Sequence, residues 1–304
     1  MSILKNIKDN FKIEQLKSPI TQVKKTYNTI ESLFTLLQDN KVSASVKEMI
    51  KGLGILVKDQ PNITSINHFL NHFLLKIDAE NQPIVIKELL EVYQERWKNV
   101  ERKTATQIYQ NFDFNDKTVL LHGNDKAIQS LIEMCVVNQQ KINIIQVLTQ
   151  QSQYGKDQVR VLINQDVPIK VVDDANLGQF YPEIDIILMG ADIIMDKVFM
   201  SKNGAHNLCL AAQYYNIPVY ALSDSRKIMN KKYLTPSLVE SFVGETKKPI
   251  TEIWKGAPNG VDVINNHNEF IPNHLITAFV LEDKIVDSNS ITQEVDKMLI
   301  SKFF

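Results

Sequence analysis

The sequence predicts an α/β protein in which a helical N-terminal domain precedes a Rossmann-like domain with a mostly parallel sheet. Three observations predict it. As far as residue 105, apolar residues recur at helical spacing with no strand signal. Beyond it, short β-branched runs alternate with helical stretches, the pattern of a parallel sheet covered on both faces. These runs end in small or polar residues: His122-Gly123-Asn124, Thr149, Asp173-Asp174, Gly190-Ala191-Asp192 and Ser223-Asp224-Ser225. Right-handed crossovers place those ends on one rim, where ligands bind in open α/β sheets. The expected domains are residues 1–105 and 106–304.

In the first domain, Ile3, Leu4, Ile7 and Phe11 open an amphipathic stretch. A helix from Pro19 carries Val23, Tyr27, Ile30, Leu33, Phe34 and Leu37 on one face, and another carries Val46, Met49, Ile50, Leu53 and Leu56. Residues 64–77 are helical through Ile66, Phe69, Leu70, Phe73, Leu74 and Ile77. Pro83 begins a long helix expected to run through Tyr93 and Trp97 to Val100, since proline in a first turn forfeits no hydrogen bond.

In the second domain, Thr118–His122 is a strand, followed by a helix over Ala127–Cys135 with Asn124 or Asp125 as its cap. Ile142–Leu148 is the next strand, Gln158–Gln165 a helix and Pro168–Val172 a strand. Ile186–Met189 is too short for a helix and reads as a buried strand ending at Gly190-Ala191-Asp192. A second apolar run leads to Ser201-Lys202-Asn203-Gly204 and a helix with Leu208, Ala211, Ala212 and Tyr215 inward. Val219–Leu222 and Ile276–Leu281 are further strands, and Asp287–Met298 a closing helix.

Composition narrows the function. The net charge of −1 gives no field to attract nucleic acid or a membrane surface. Without a long apolar stretch, a cytoplasmic protein is expected, and Cys135 and Cys209 fit packed thiols. Candidate ligand-binding residues are Gly123, Asn124, Gly190, Asp192, Lys202 and Gly204: a carboxylate, an ammonium and a glycine-led helix N-terminus suit a phosphate or a polyol. Asp192 is placed at a ligand site ahead of a mere backbone cap, and is the acid–base residue if the protein is an enzyme. Lys202 fits a phosphate-holding charge and a solvated lysine equally. His68 and His72 share a helical face but lack a third ligand, Asp173-Asp174 point to opposite strand faces, and Ser223-Asp224-Ser225 have no histidine partner. No metal and no cofactor is expected.

The order strand, Gly190-Ala191-Asp192, apolar run, Ser201-Lys202-Asn203-Gly204, helix resembles one superfamily. It holds the α, β and δ regulatory subunits of eukaryotic translation initiation factor 2B, methylthioribose-1-phosphate isomerase and ribose-1,5-bisphosphate isomerase. Their pattern is GA(D/E) followed by NKxGT; Asp192, Lys202 and Gly204 match it, while Ser201 and Ala205 depart from it. Glu269–Thr277 is similar to the FDxxPxxLIT segment, and Gln60–Ser65 loosely to RPxSxS. The resemblance implies, for the isomerases, an aspartate working with a cysteine in a segment like THCxS. Leu121-His122-Gly123-Asn124-Asp125 stands there instead, so Gly123 replaces the thiol, and Gln60 replaces a phosphate-binding arginine.

The reading is therefore an initiation-factor-2B-subunit-like protein, non-catalytic, that binds a phosphorylated sugar or nucleotide or acts as a regulatory assembly subunit. The alternative is a sugar-phosphate aldose–ketose isomerase. The expected partner is a second copy, a homodimer formed through residues 190–300, as the resemblance implies. Apolar Leu275-Ile276, Ala278–Leu281 and Phe303-Phe304 point the same way.

Overall fold

The computed structural model of the protein describes residues 64–77, 83–149, 153–230 and 249–299. The helices expected before residue 64, Gln60, Lys231-Lys232 and Phe303-Phe304 lie outside the described residues. The chain divides into two compact units: residues 1–98 with 229–243 and 297–304, and residues 99–228 with 244–296.

In the first unit, helix α1 (Thr64–Ile77) and helix α2 (Pro83–Trp97) meet through aromatic rings. Phe69 and Phe73, four residues apart on one face, have ring centroids 4.7 Å apart, and Phe69 lies 5.0 Å from Tyr93. The helix expected from Pro83 to Val100 is shorter than its apolar periodicity suggests. It stops at Trp97, because Asn99 takes a left-handed conformation (φ 53°) that asparagine tolerates better than most residues.

The second unit begins with helix α3 (Val100–Asn111). There follow β1 (Lys117–His122), α4 (Lys126–Val137), β2 (Ile142–Leu148), α5 (Tyr154–Leu162), β3 (Ile169–Asp173) and β4 (Ile186–Gly190). Next come β5 (Ile193–Ile194), β6 (Val198–Lys202), α6 (Ala205–Tyr215) and β7 (Val219–Leu222). The unit closes with β8 (Asn268–Pro272), β9 (Ala278–Val280), β10 (Ile285–Asp287) and α7 (Ile291–Asp296). The expected closing helix is shortened to α7 because β10 and a turn at Asp287–Ser290 take its first residues.

The main sheet has the order β10-β9-β7-β4-β1-β2-β3. Its neighbours run parallel except β10, which is antiparallel to β9. Strand alternation feeds two cores. Val119, Leu121, Ile186 and Leu188 face Ala105 and Ile108 of α3 and Ile128, Leu131 and Cys135 of α4. Leu120, Ile187, Met189 and Ala221 face Leu208, Cys209 and Ala212 of α6 and Ile291 and Val295 of α7. Both cysteines are buried and free, as packed thiols should be, and burial pushes each thiol up to about 12. The second apolar run after Asp192 is not one strand. It folds back as β5 and β6, which with β8 make a small antiparallel sheet of order β5-β6-β8.

Strand β3 ends the main sheet; its Lys170 pairs with Glu183 at 3.4 Å and lies 4.7 Å over the Phe180 ring. Among the described residues, no helix is long and apolar enough to cross a membrane.

Phe279 of β9 and Phe199 of β6 join the two sheets edge to face, centroids 5.4 Å apart, both with no exposed surface. Phe279→Ala is expected to cost about 3–5 kcal/mol, the range for truncating a fully buried phenylalanine. Urea unfolding of the two proteins measures it.

Candidate functional site

Strand order reverses between β1 and β4: the chain moves outward through β2 and β3 on one side and β7 and β9 on the other. The crevice at the carboxyl ends of such a strand pair is where an open α/β sheet receives ligands. His122 ends β1 and Gly123 follows it; Gly190 ends β4 and Ala191 and Asp192 follow it. Gly123 takes φ +82°, and a Cβ on it would lie 3.2 Å from Cγ of Lys202. A side chain here would thus be strained in its backbone and pressed against the lysine stem. At Gly190 a Cβ would lie 2.7 Å from Oδ2 of Asp125. Asp125 caps α4, its Oδ1 accepting from the backbone N–H of Ala127 (2.8 Å) and Ile128 (3.3 Å). Gly190 therefore leaves room for the carboxylate that starts the neighbouring helix.

Lys202, the last residue of β6, reaches back across this crevice. Its ammonium donates to Asp192 Oδ2 at 2.7 Å and to Asn268 Oδ1 at 3.0 Å, and lies 4.7 Å over the Tyr154 ring. The Gly190–Asp192 turn is held from both sides: Ser201 Oγ donates to Gly190 O (2.7 Å), Ser223 Oγ to Ala191 O (3.0 Å) and Lys227 Nζ to the same oxygen (3.1 Å). Below it, Arg226 donates to both Asp224 oxygens, at 2.7 and 3.0 Å, in a buried pair.

These neighbours set the protonation of the site. Burial pushes the Asp192 carboxyl up, but the Lys202 and Lys227 ammoniums outweigh it and hold it below the ordinary carboxylate value. Burial pulls Lys202 down, and Asp192 more than restores it. Asp125 goes the other way: burial raises its carboxyl, Lys227 and the two backbone N–H groups offset only part of that, and Asp192 adds to it. His122 is almost fully buried. Burial lowers it to about 4, with Lys202 adding and the Asn203 backbone opposing.

The structure thus brings Gly123, Gly190, Asp192 and Lys202 together. Gly204 is the N-cap of α6 and lies against them, since a Cβ there would be 3.4 Å from His122 Nε2. Asn124 is exposed, and its Oδ1 accepts from Gln129 rather than from any of the others. Asp173 and Asp174 stay at the end of β3, both bonded to the Ala175 N–H. Asp192 and Lys202 face each other across the crevice. A cleft of about 390 Å³ lined in part by Arg102, Lys126 and Ser130 holds none of these residues. No cluster of three or more potential metal ligands occurs among the described residues. Sequence reasoning missed Tyr154, Lys227 and Asn268. Lys227 was signalled by its place two residues after the Ser223-Asp224-Ser225 strand end; Tyr154 and Asn268 carried no such signal.

A profile of the Initiation factor 2 subunit family matches residues 20–284. Among curated relatives, the chain is 19% identical to translation initiation factor eIF2B subunit alpha of Dictyostelium discoideum, over 66% of this chain and 64% of that one. It is 28% identical to a putative methylthioribose-1-phosphate isomerase of Methanocaldococcus jannaschii, over 57% of this chain and 56% of that one. It is 22% identical to ribose 1,5-bisphosphate isomerase of the same organism, over 75% and 73%. The match to the first two thus spans less than two thirds of their length. Two solved structures share the fold: the translation initiation factor eIF-2B of Pyrococcus horikoshii OT3 (TM-score 0.67, 18% identity, 94% of this chain and 97% of that one) and the tetrameric eIF2B-beta2-delta2 complex of C. thermophilum (TM-score 0.65, 12% identity, 97% and 98%).

The neutral, buried His122 ties stability to pH. Its folded value of about 4 lies below the ordinary 6.5, so between them the unfolded chain binds the extra proton. The stability owed to the neutral ring is complete above pH 6.5 and is lost as pH falls toward 4. Going from pH 7 to pH 5 should cost about 2 kcal/mol through this residue. His122→Leu should remove that part of the pH dependence in urea titrations; an unchanged slope would rule it out.

Proposed function

The chain belongs to the Initiation factor 2 subunit family, and we propose that it is a non-catalytic, initiation-factor-2B-subunit-like member. In this reading it binds a phosphorylated sugar or nucleotide at the β1/β4 crevice through Gly123, Asn124, Gly190, Asp192, Lys202 and Gly204, or serves as a regulatory assembly subunit. It works in the cytoplasm, with a helical domain over residues 1–105 and an α/β domain over 106–304. One observation carries it. Gly123 occupies the place of the isomerases' cysteine, its φ is +82°, and the Lys202 stem packs where a side chain would stand. Glycine has no group that could form a thiolate or move a proton there. Asp192, held ionised by Lys202, is a poor proton donor.

The second reading, an aldose–ketose isomerase, has one observation in its favour. Asp125 and Asp192 sit on the same rim, one carboxyl raised and the other lowered, as an acid and a base in one site would be. The two backbone hydrogen bonds on Asp125 Oδ1 are those of an ordinary helix cap, which is why we place this reading second.

The reading extends to a homodimer. Leu275-Ile276 and Ala278–Leu281 are core and supply no contact surface. The support comes instead from Ile250, Ile253, Trp254, Val261, Ile264 and Phe270, large apolar residues exposed within one short stretch.

Three measurements test the proposal. Purified protein is expected not to turn over ribose 1,5-bisphosphate or methylthioribose-1-phosphate; turnover abolished by Asp192→Asn would overturn the non-catalytic reading. A phosphosugar or nucleotide bound at 100 times its dissociation constant should add about 2.7 kcal/mol to stability, an increment that Lys202→Met removes. Light scattering should give twice the 34.8 kDa of one chain, and a mass of one chain at all concentrations would refute the dimer.

A further inference from the structure

The Lys202 ammonium has three N–H donors, and the protein provides for all three. Asp192 Oδ2 takes one at 2.7 Å, Asn268 Oδ1 takes another at 3.0 Å, and the face of Tyr154 lies 4.7 Å from the nitrogen. The elements that cover the lysine are themselves fastened at one point. Tyr154 presents its face to Lys202 and stands edge to face with His267, centroids 6.3 Å apart at 82°. His267 immediately precedes Asn268, and its Nε2 lies 2.7 Å from Glu252 Oε2. The same carboxylate oxygen accepts from Asn265 Nδ2 at 2.8 Å, and Asn265 also donates to Pro249 O at 2.9 Å. Between these anchors, the hydrogen bonds of residues 253–264 among the described residues run only within the segment and to Ile250. Residues 249–268 therefore form an exposed strap whose two ends meet at Glu252 and whose last residue touches Lys202.

We propose that this strap is a cap on the crevice: Glu252 clasps it shut through His267 and Asn265, and with Tyr154 it keeps the Lys202 ammonium spent inside the protein. The side chain is 22% exposed, but its ammonium is released to an incoming anion only when the clasp opens. A ligand at this lysine then has to displace Asn268 or Tyr154, so its affinity carries the work of opening the strap. The cap concerns the lysine alone, so it holds or fails independently of which ligand the crevice takes.

The test uses the full-length protein without ligand. Lysines are methylated with formaldehyde and borohydride, and the rate at each is followed by mass spectrometry. In the wild type, Lys202 should react about tenfold or more slowly than exposed Lys98 and Lys126, because Asp192, Asn268 and Tyr154 hold its ammonium and the strap must open to free it. Glu252→Gln keeps the shape of the side chain but removes the charge that grips His267. It should raise the Lys202 rate several-fold and leave Lys98 and Lys126 unchanged. Tyr154→Leu, which removes the ring itself, should do the same. Wild-type Lys202 reacting as fast as the exposed lysines would overturn the cap, and a Lys202 rate unmoved by Glu252→Gln would overturn the clasp, even if Tyr154→Leu raises it. Thermal melts confirm that each variant is folded; should Glu252→Gln unfold, His267→Gln breaks the same contact from the other side.

Discussion

The crevice depends on one ion pair. Lys202 and Asp192 come from the end of β6 and the start of the β5–β6 excursion, and their 2.7 Å contact closes that excursion back onto the main sheet. Each group is partly buried, and each would be costly alone: burial acts against the charged form of both, and the partner is the largest of the groups that reverse it. Much of the surroundings serves this pair. Gly123 makes room for the lysine stem, Asn268 and Tyr154 complete its ammonium, and Lys227 adds a second positive charge beside the turn that carries the aspartate. An uncompensated charge left by removing either partner would be felt in all of these contacts at once.

The rim accordingly carries charge without a net field. Asp125, Asp192 and Asp224 face Lys202, Lys227 and Arg226, and the oppositely charged groups lie within one another's reach. Family membership and geometry bear on different questions here. Membership covers both regulatory subunits and isomerases, while the geometry concerns which protons can move. A glycine that cannot ionise, a histidine kept neutral by burial and an aspartate kept ionised by lysine leave Asp125 as the one carboxyl of this group pushed toward its protonated form.

The sheet was legible in the sequence because its strands are largely buried on both faces and so read as short apolar runs, unbroken in Ile186–Met189 and broken only by Asn143 and Gln146 in Ile142–Leu148. Small and polar residues after those runs marked the rim, and Gly123, Gly190, Asp192 and Lys202 do meet there. What stayed hidden depended on contacts distant in the chain. Asn268 lies 66 residues from the lysine it completes, and no local pattern announces such a partner. The β5–β6 turn-back was hidden because Ile193–Met195 and Val198–Met200 read as one apolar run, with only Asp196-Lys197 between them to mark the turn. The break at Asn99 was hidden for a similar reason: Val100 keeps the helical periodicity of the preceding residues while the backbone between them turns left-handed. The mutual neutralisation of Asp192 and Lys202 was equally invisible, since spacing shows that two groups are near but not that they satisfy each other.

Strand β3, at the end of the main sheet, has a consequence for how copies of this chain can meet. Its outer backbone N–H and C=O groups form a template on which another strand could lengthen the sheet. Lys170 is the second residue of that strand, tethered to Glu183 and laid over Phe180. A strand arriving at this edge would have to lay its own side chains beside this charge, the way edge lysines disfavour pairing. Open-ended sheet stacking, the route to fibres and amorphous precipitate, is thereby discouraged at the one flank that β10 does not finish, and self-association is left to surfaces whose geometry limits the number of partners.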